Sequence, residues 1–153
     1  MQEHNHQWKP NVTVAAVVER EGAFLLVEEQ TGDGIRYNQP AGHLEAGESL
    51  VDAVIREALE ESACDFTPEA LLGIYQYQQT RSGTTYLRFA FTGSLSAPRP
   101  GRALDTGILR TLWMPVDEIH ACRNRHRSPL LLQCVEDYLR GIRHPLHLLH
   151  HYN

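Results

Sequence analysis

The rhythm of apolar and polar positions changes along this chain, and each change marks an element. Asn11 to Glu19, NVTVAAVVE, is almost continuously apolar and rich in β-branched residues, as in a central strand. Arg20-Glu21-Gly22 turns the chain, and Ala23 to Glu28, AFLLVE, predicts a second strand returning as a hairpin. Thr31 to Gly34 reads as a loop, and Tyr37 to Gly42 leads on to a helical stretch. Ser49 is placed as an N-cap with Asp52 three residues on, and no Pro or Gly interrupts Leu50 to Cys64. At about 100° per residue, Val51, Ile55, Ala58 and Leu59 gather on one side and Glu57, Glu60 and Glu61 on the other.

Beyond the helix, Thr67 to Ala70 reads as a connector, followed by a strand from Leu71 to Thr80 and a turn at Arg81-Ser82-Gly83. Thr84 to Leu95 is the partner strand, and Ser96 to Thr106, rich in Pro and Gly, is a long loop. Leu109 to Met114 predicts a strand, Val116 to Ala121 a short helix, and Pro129 to Arg140 an amphipathic helix stopped by Gly141. This order predicts an α/β fold, a mixed sheet held between helices, in a single domain over residues 1–153. Residues 1–9 and 142–153 read as peripheral tails, the latter carrying four of the chain's nine histidines.

A net charge of −5 and the lack of a basic run disfavour a nucleic-acid polymer as partner. Arg123, Arg125 and Arg127 form a short basic patch, either a solvated loop or a contact for phosphate. Cys64, Cys122 and Cys134 are irregularly spaced and read as reduced thiols. No signal-peptide pattern appears, and no apolar run approaches the roughly twenty residues of a membrane span. A soluble, cytoplasmic protein is expected, as a monomer or homodimer.

The chemistry concentrates between Gly42 and Cys64, which holds six acidic residues in twenty-three. Glu57, Glu60 and Glu61 are helical neighbours at i, i+3 and i+4. Such a cluster is either a solvated face or a platform of oxygen ligands for a hard cation such as Mg²⁺ or Mn²⁺. The apolar back of the helix and the Gln39-Pro40-Ala41-Gly42 turn before it favour the platform, because both hold the carboxylates in place. The spacing resembles the box of the Nudix hydrolases, G-x5-E-x7-R-E-U-x-E-E-x-G-U with U a bulky aliphatic residue. Gly42, Glu48, Arg56, Glu57, Glu60 and Glu61 fall on it. Ala58 is small for the first U, Ala63 replaces the last glycine, and Cys64 replaces the final aliphatic residue. The resemblance extends from about Pro10 to Arg140 and implies the Nudix α/β/α sandwich.

It also implies a hydrolase of phosphoric anhydride bonds, with water attacking phosphorus. Glu57, Glu60 and Glu61 become the implied metal ligands, with the Ala41 backbone carbonyl as a further one and Mg²⁺ as the ion, replaceable by Mn²⁺. Glu57 is the position credited with activating water. Arg56, one turn from Asp52 and Glu60, is read as orienting the carboxylates, and Glu48 has a similar role. Family members often draw another carboxylate from a distant loop, and Asp105 is the candidate, with a turn-forming Asp as its plain alternative. Arg88, a charge among apolar neighbours in a strand, is a candidate for substrate binding or for an ion pair on the sheet. Tyr77 is a candidate stacking residue and Gln39 a candidate hydrogen-bonding one, each with a structural alternative in the core or the turn.

The proline that ADP-ribose hydrolysing members tend to carry after the box is Gln79 here. The tyrosine typical of dinucleoside-polyphosphate hydrolases falls at Arg81 or Ser82. KPNVTVAAVV, YNQPAGHLEAGESL, YLRFAF and RSPLL instead resemble a bacterial NudJ-type phosphatase branch. That branch implies nucleoside tri- and diphosphates, or the pyrophosphate of a thiamine pyrimidine, as substrates. A pyrophosphatase of a modified nucleotide or nucleotide-sugar is the alternative within enzymes, and a non-catalytic nucleotide sensor is the alternative of another class.

Overall fold

The computed structural model describes residues 6–153, so most of the N-terminal tail expected over residues 1–9 lies outside the described residues. The strands are β1 (Asn11–Val17), β2 (Glu19–Arg20), β3 (Ala23–Thr31), β4 (Gly34–Asn38), β5 (Ala41–His43), β6 (Phe66–Gln78), β7 (Thr85–Leu95) and β8 (Ile108–Pro115). The α-helices are α1 (Leu50–Ser62), α2 (Val116–Ala121) and α3 (Leu130–Leu139).

The strands form two sheets of four rather than one. The first runs β5-β1-β7-β6 and is mixed, since β1 is antiparallel to β5 and parallel to β7. In the second, β3 pairs with β2, β4 and β8. The expected hairpin of β1 with β3 is therefore corrected. The apolar stretch crosses between sheets at buried Val18, whose carbonyl accepts from Leu25 N–H at 2.9 Å. Only Glu19–Arg20 remain paired with the start of β3.

Residues Thr67 to Ala70 belong to β6 rather than to a connector. Pro68 fits because β6 is an edge strand, and register shifts follow it between Pro68 and Ala70 and between Leu71 and Gly73.

Both faces of the sheets are covered, which makes the α/β/α sandwich. On one side Val14, Ala16, Val18, Leu25 and Phe91 pack with Ala53, Val54 and Ala58 of α1. On the other, Val17, Phe24, Leu26 and Leu72 pack with Ile119 of α2 and Leu131, Cys134 and Val135 of α3. Successive residues of β1 point to opposite cores, so its continuous apolar run has a direct cause.

The C-terminal segment docks rather than fraying. His144 exchanges backbone hydrogen bonds with Leu71 at 2.8 and 2.9 Å, and Leu146 and Leu149 pack on the core beside α1. All three cysteines are free thiols, as expected. No helix among the described residues is long and apolar enough to cross a membrane.

Candidate active site

Helix α1 starts where expected, with Ser49 Oγ accepting from Asp52 N–H at 3.0 Å. It ends at Ser62, because Ala63 takes the left-handed conformation at φ 61° that the family's glycine would adopt without strain. The buried face is turned from the one the wheel predicts. Ala53, Val54, Glu57, Ala58, Glu61 and Ser62 are buried, so Glu57 and Glu61 lie against the sheet instead of on a solvated face.

Edge strand β5 receives them. Glu61 Oε1 accepts from Ala41 N–H at 2.9 Å. A Cβ on Gly42 would lie 2.1 Å from the Glu57 carboxyl carbon, so only glycine leaves that carboxylate its space. Burial pushes the Glu57 carboxyl above its ordinary range, against the lowering effect of Arg56. Burial likewise pushes Glu61 up to about 8, aided by the charges of Glu29, Glu57 and Asp105.

Arg56 ties the acids together. It donates to Glu48 through Nε at 3.0 Å and Nη2 at 2.7 Å, and through Nη1 to Glu57 at 2.7 Å and Glu60 at 3.2 Å. Its Nη2 also reaches the His43 carbonyl at 2.9 Å, which pins the strand to the helix. Glu48 is held below the usual carboxylate range by Arg56. Asp105, far along the chain, is brought to α1 by its backbone, whose N–H donates to the Glu60 carbonyl at 2.8 Å.

A cavity of about 240 Å³ opens beside β5. Its lining includes Ala41, Gly42, His43, Tyr77, Tyr86 and Arg88, with Glu29 and Arg127 also on it. Arg88 is 5% exposed and donates to Gln39 Oε1 and Asn38 Oδ1, each at 3.0 Å. Gln39 is 1% exposed, and its amide also donates to the Leu131 carbonyl at 2.9 Å. The structure thus sets Gln39 behind the cavity wall, committed to holding Arg88, where a ligand contact was expected. Tyr75, two residues before Tyr77 on β6, donates to Asp137 at 2.7 Å.

Glu29 is the acid that sequence reasoning missed. The strand was expected to end at Glu28, but β3 runs to Thr31 and shifts register between Glu28 and Glu29. The Glu29 carboxylate lines the cavity and pairs with Arg127 at 2.7 Å. Of the basic patch, Arg125 instead stacks over Tyr37, 4.7 Å from the ring centre.

The donor set suits a hard divalent cation. Glu29, Glu57 and Asp105 put negative charge close enough to raise the proton affinity of Glu61, and carboxylate oxygens are the ligands Mg²⁺ and Mn²⁺ prefer. As they stand, no three His, Cys, Asp or Glu side chains among the described residues converge on one point. Arg56 and Ala41 N–H occupy carboxylate oxygens that an ion would share.

Residues 8–134 match the NUDIX domain family. This chain belongs to the Nudix family. It is 39% identical over 146 residues to Phosphatase NudJ of Escherichia coli strain K12, covering 95% of this chain and 94% of that protein. It is also similar to a solved NUDIX hydrolase from Nitrosomonas europaea, with a TM-score of 0.91, 54% identity, and coverage of 94% of this chain and 98% of that one. A bifunctional NMN adenylyltransferase/ADP ribose pyrophosphatase from Francisella tularensis, complexed with AMP and a Mn ion, shares the fold. Its TM-score is 0.69 at 19% identity, over 90% of this chain and 43% of that one. Like its relatives, this Nudix protein is a hydrolase acting on phosphoric anhydride bonds of small nucleotide-like molecules. Nudix hydrolases generally use divalent metal ions.

Proposed function

We propose that the protein is a Mg²⁺-dependent phosphohydrolase of nucleoside tri- and diphosphates or related small pyrophosphates, with Mn²⁺ able to replace Mg²⁺. The pyrophosphate of a thiamine pyrimidine is among the candidate substrates, since the chain is similar over nearly its whole length to a protein named Phosphatase NudJ. One observation carries the reading: two buried carboxylates, Glu57 and Glu61, meet the edge strand that also borders the cavity.

Glu57, Glu60 and Glu61 would hold the ion, and the Ala41 carbonyl and Asp105 would be further oxygen donors to it. When bound, the cation supplies charge neutralisation and an acidified water. The chain's own residues do the rest. Gly42 leaves room for the Glu57 carboxylate, and Arg56 fixes its orientation. Glu57 takes up the proton of the attacking water. Water adds to phosphorus, the anhydride P–O bond breaks, and the departing phosphate keeps the bridging oxygen. Arg88 and Tyr77 bind the substrate from the cavity wall, and Gln39 acts through Arg88 as a positioning residue.

A panel of nucleoside tri- and diphosphates, ADP-ribose, nucleotide-sugars and dinucleoside polyphosphates, assayed with Mg²⁺ and with chelator, tests the proposal. Release of phosphate from the tri- or diphosphates, abolished by chelator, is the expected result. Preferential cleavage of a nucleotide-sugar would replace it with the pyrophosphatase alternative. Nucleotide binding without hydrolysis of any compound would make the protein a sensor.

A further inference from the structure

One acid of the cavity is held by a cation of the chain itself. Glu29 Oε1 stands 2.7 Å from Arg127 Nη1, with the Glu29 side chain 15% exposed and that of Arg127 49% exposed. The contact lacks the grip that joins Arg99 to Asp65, where Nε donates at 3.0 Å and Nη2 at 2.7 Å. Among the described residues Arg127 makes no other ion pair. Its backbone is fixed: the N–H donates to the Tyr37 carbonyl at 2.8 Å, and neighbouring His126 bridges to Tyr37. An exchange of partners therefore needs only a rotation of the side chain. There is room for it, because Arg127 lines both the cavity beside β5 and a second one of about 580 Å³.

Glu29 faces the other acids. After burial, the chief cause of the raised Glu61 carboxyl, Glu29 is the strongest of the acid charges acting on it. A divalent ion among these carboxylates competes for the Glu29 oxygens and repels the guanidinium. That leaves the Arg127 donors facing a cavity whose ligand is anionic. We infer that the Glu29–Arg127 pair is a charge latch opened by cation and substrate together: Glu29 turns to the cation, and Arg127 to a phosphate oxygen of the substrate. The inference rests on the hydrolase reading above and adds two residues to its site. One partly exposed ion pair is replaced by two, so the cation and the anion each favour binding of the other.

Four proteins form a test cycle: the parent, Glu29→Gln, Arg127→Met and the double variant. Mn²⁺ binding is read by electron paramagnetic resonance without nucleotide, and binding of inorganic phosphate by calorimetry with chelator. Glu29→Gln is expected to weaken Mn²⁺ binding about tenfold. Arg127→Met is expected to tighten it about threefold in the parent and to leave it unchanged in the Glu29→Gln background. Glu29→Gln is expected to tighten phosphate binding about threefold, a gain lost in the double variant. A Mn²⁺ gain that persists without Glu29 reflects net charge alone and overturns the exchange, as does a phosphate gain that persists without Arg127. Unchanged Mn²⁺ and phosphate affinities in the single variants, whatever their melting temperatures, make the pair a structural tie and overturn it as well. With Mg²⁺, Arg127→Met is expected to raise KM about tenfold on the nucleotide the parent cleaves best, and an unchanged KM contradicts the assignment of Arg127 to the substrate. The expected binding pattern in a protein that hydrolyses no compound would refute the catalytic reading alone.

Discussion

Gly42 and Arg56 show how much of the site is decided atom by atom. Gly42 matters for the side chain it lacks, since a methyl group there would sit on the Glu57 carboxylate. Arg56 matters for the shape of its fork, which spans Glu48, Glu57 and Glu60 at once. Lysine keeps the charge but not the fork. Arg56→Lys is therefore expected to lower kcat by about 10- to 100-fold with little change in KM, as measured by steady-state kinetics. Glu57, Glu60 and Glu61 were legible because their spacing is a helical period, and Arg56 reaches two of them, Glu57 and Glu60. Gln39 was not legible: nothing in its neighbours along the chain shows that Arg88 and Leu131 occupy its amide from far away in sequence.

Helix α1 carries the next level. Its apolar side was readable, but its rotation was not, because the wheel treats every acid as solvent-facing. Tertiary contact with β5 buries Glu57 and Glu61 instead. Its end is strained at Ala63, where φ is 61°. Ala63→Gly is expected to raise stability by about 1 kcal/mol, a melting shift of about 2–4 °C by calorimetry. Burial of Glu61 sets a pH dependence. Its carboxyl titrates near 8 in the folded protein against 4.5 as the ordinary value, so the folded state binds the extra proton. Its stabilising contribution is complete below 4.5 and is lost as pH rises through about 8. In metal-free protein, the melting temperature of Glu61→Gln minus that of the parent is expected to increase across this window. Protons compete with the ion for the same oxygen, so Mg²⁺ is expected to raise the parent's melting temperature more at pH above about 8 than near pH 6. The extent of β3 escaped the sequence for a related reason. Its register shift re-aims Glu29, and such bulges leave no periodic mark.

At the scale of the molecule, two sheets and three α-helices bring together groups from distant parts of the chain. Glu29 comes from one sheet, Ala41 and Arg88 from the other, Glu57 from α1 and Asp105 from the loop before β8. The α/β/α order was legible because strand and helix periods alternate cleanly. The division into two sheets was not, since a buried apolar run reads the same whether or not the chain changes sheet at Val18. Docking of residues 142–149 was hidden by their histidines, which mask the leucines at 146 and 149 that reach the core. Together these groups hydrolyse an anhydride through the Glu57 carboxylate in the function proposed above. Its most direct test is the Mg²⁺-dependent kcat of Glu57→Gln beside the parent, on whichever nucleotide the parent cleaves best. A fall of about 10²–10⁴-fold is expected, with the fold retained by circular dichroism; an unchanged kcat would remove Glu57 from the chemistry.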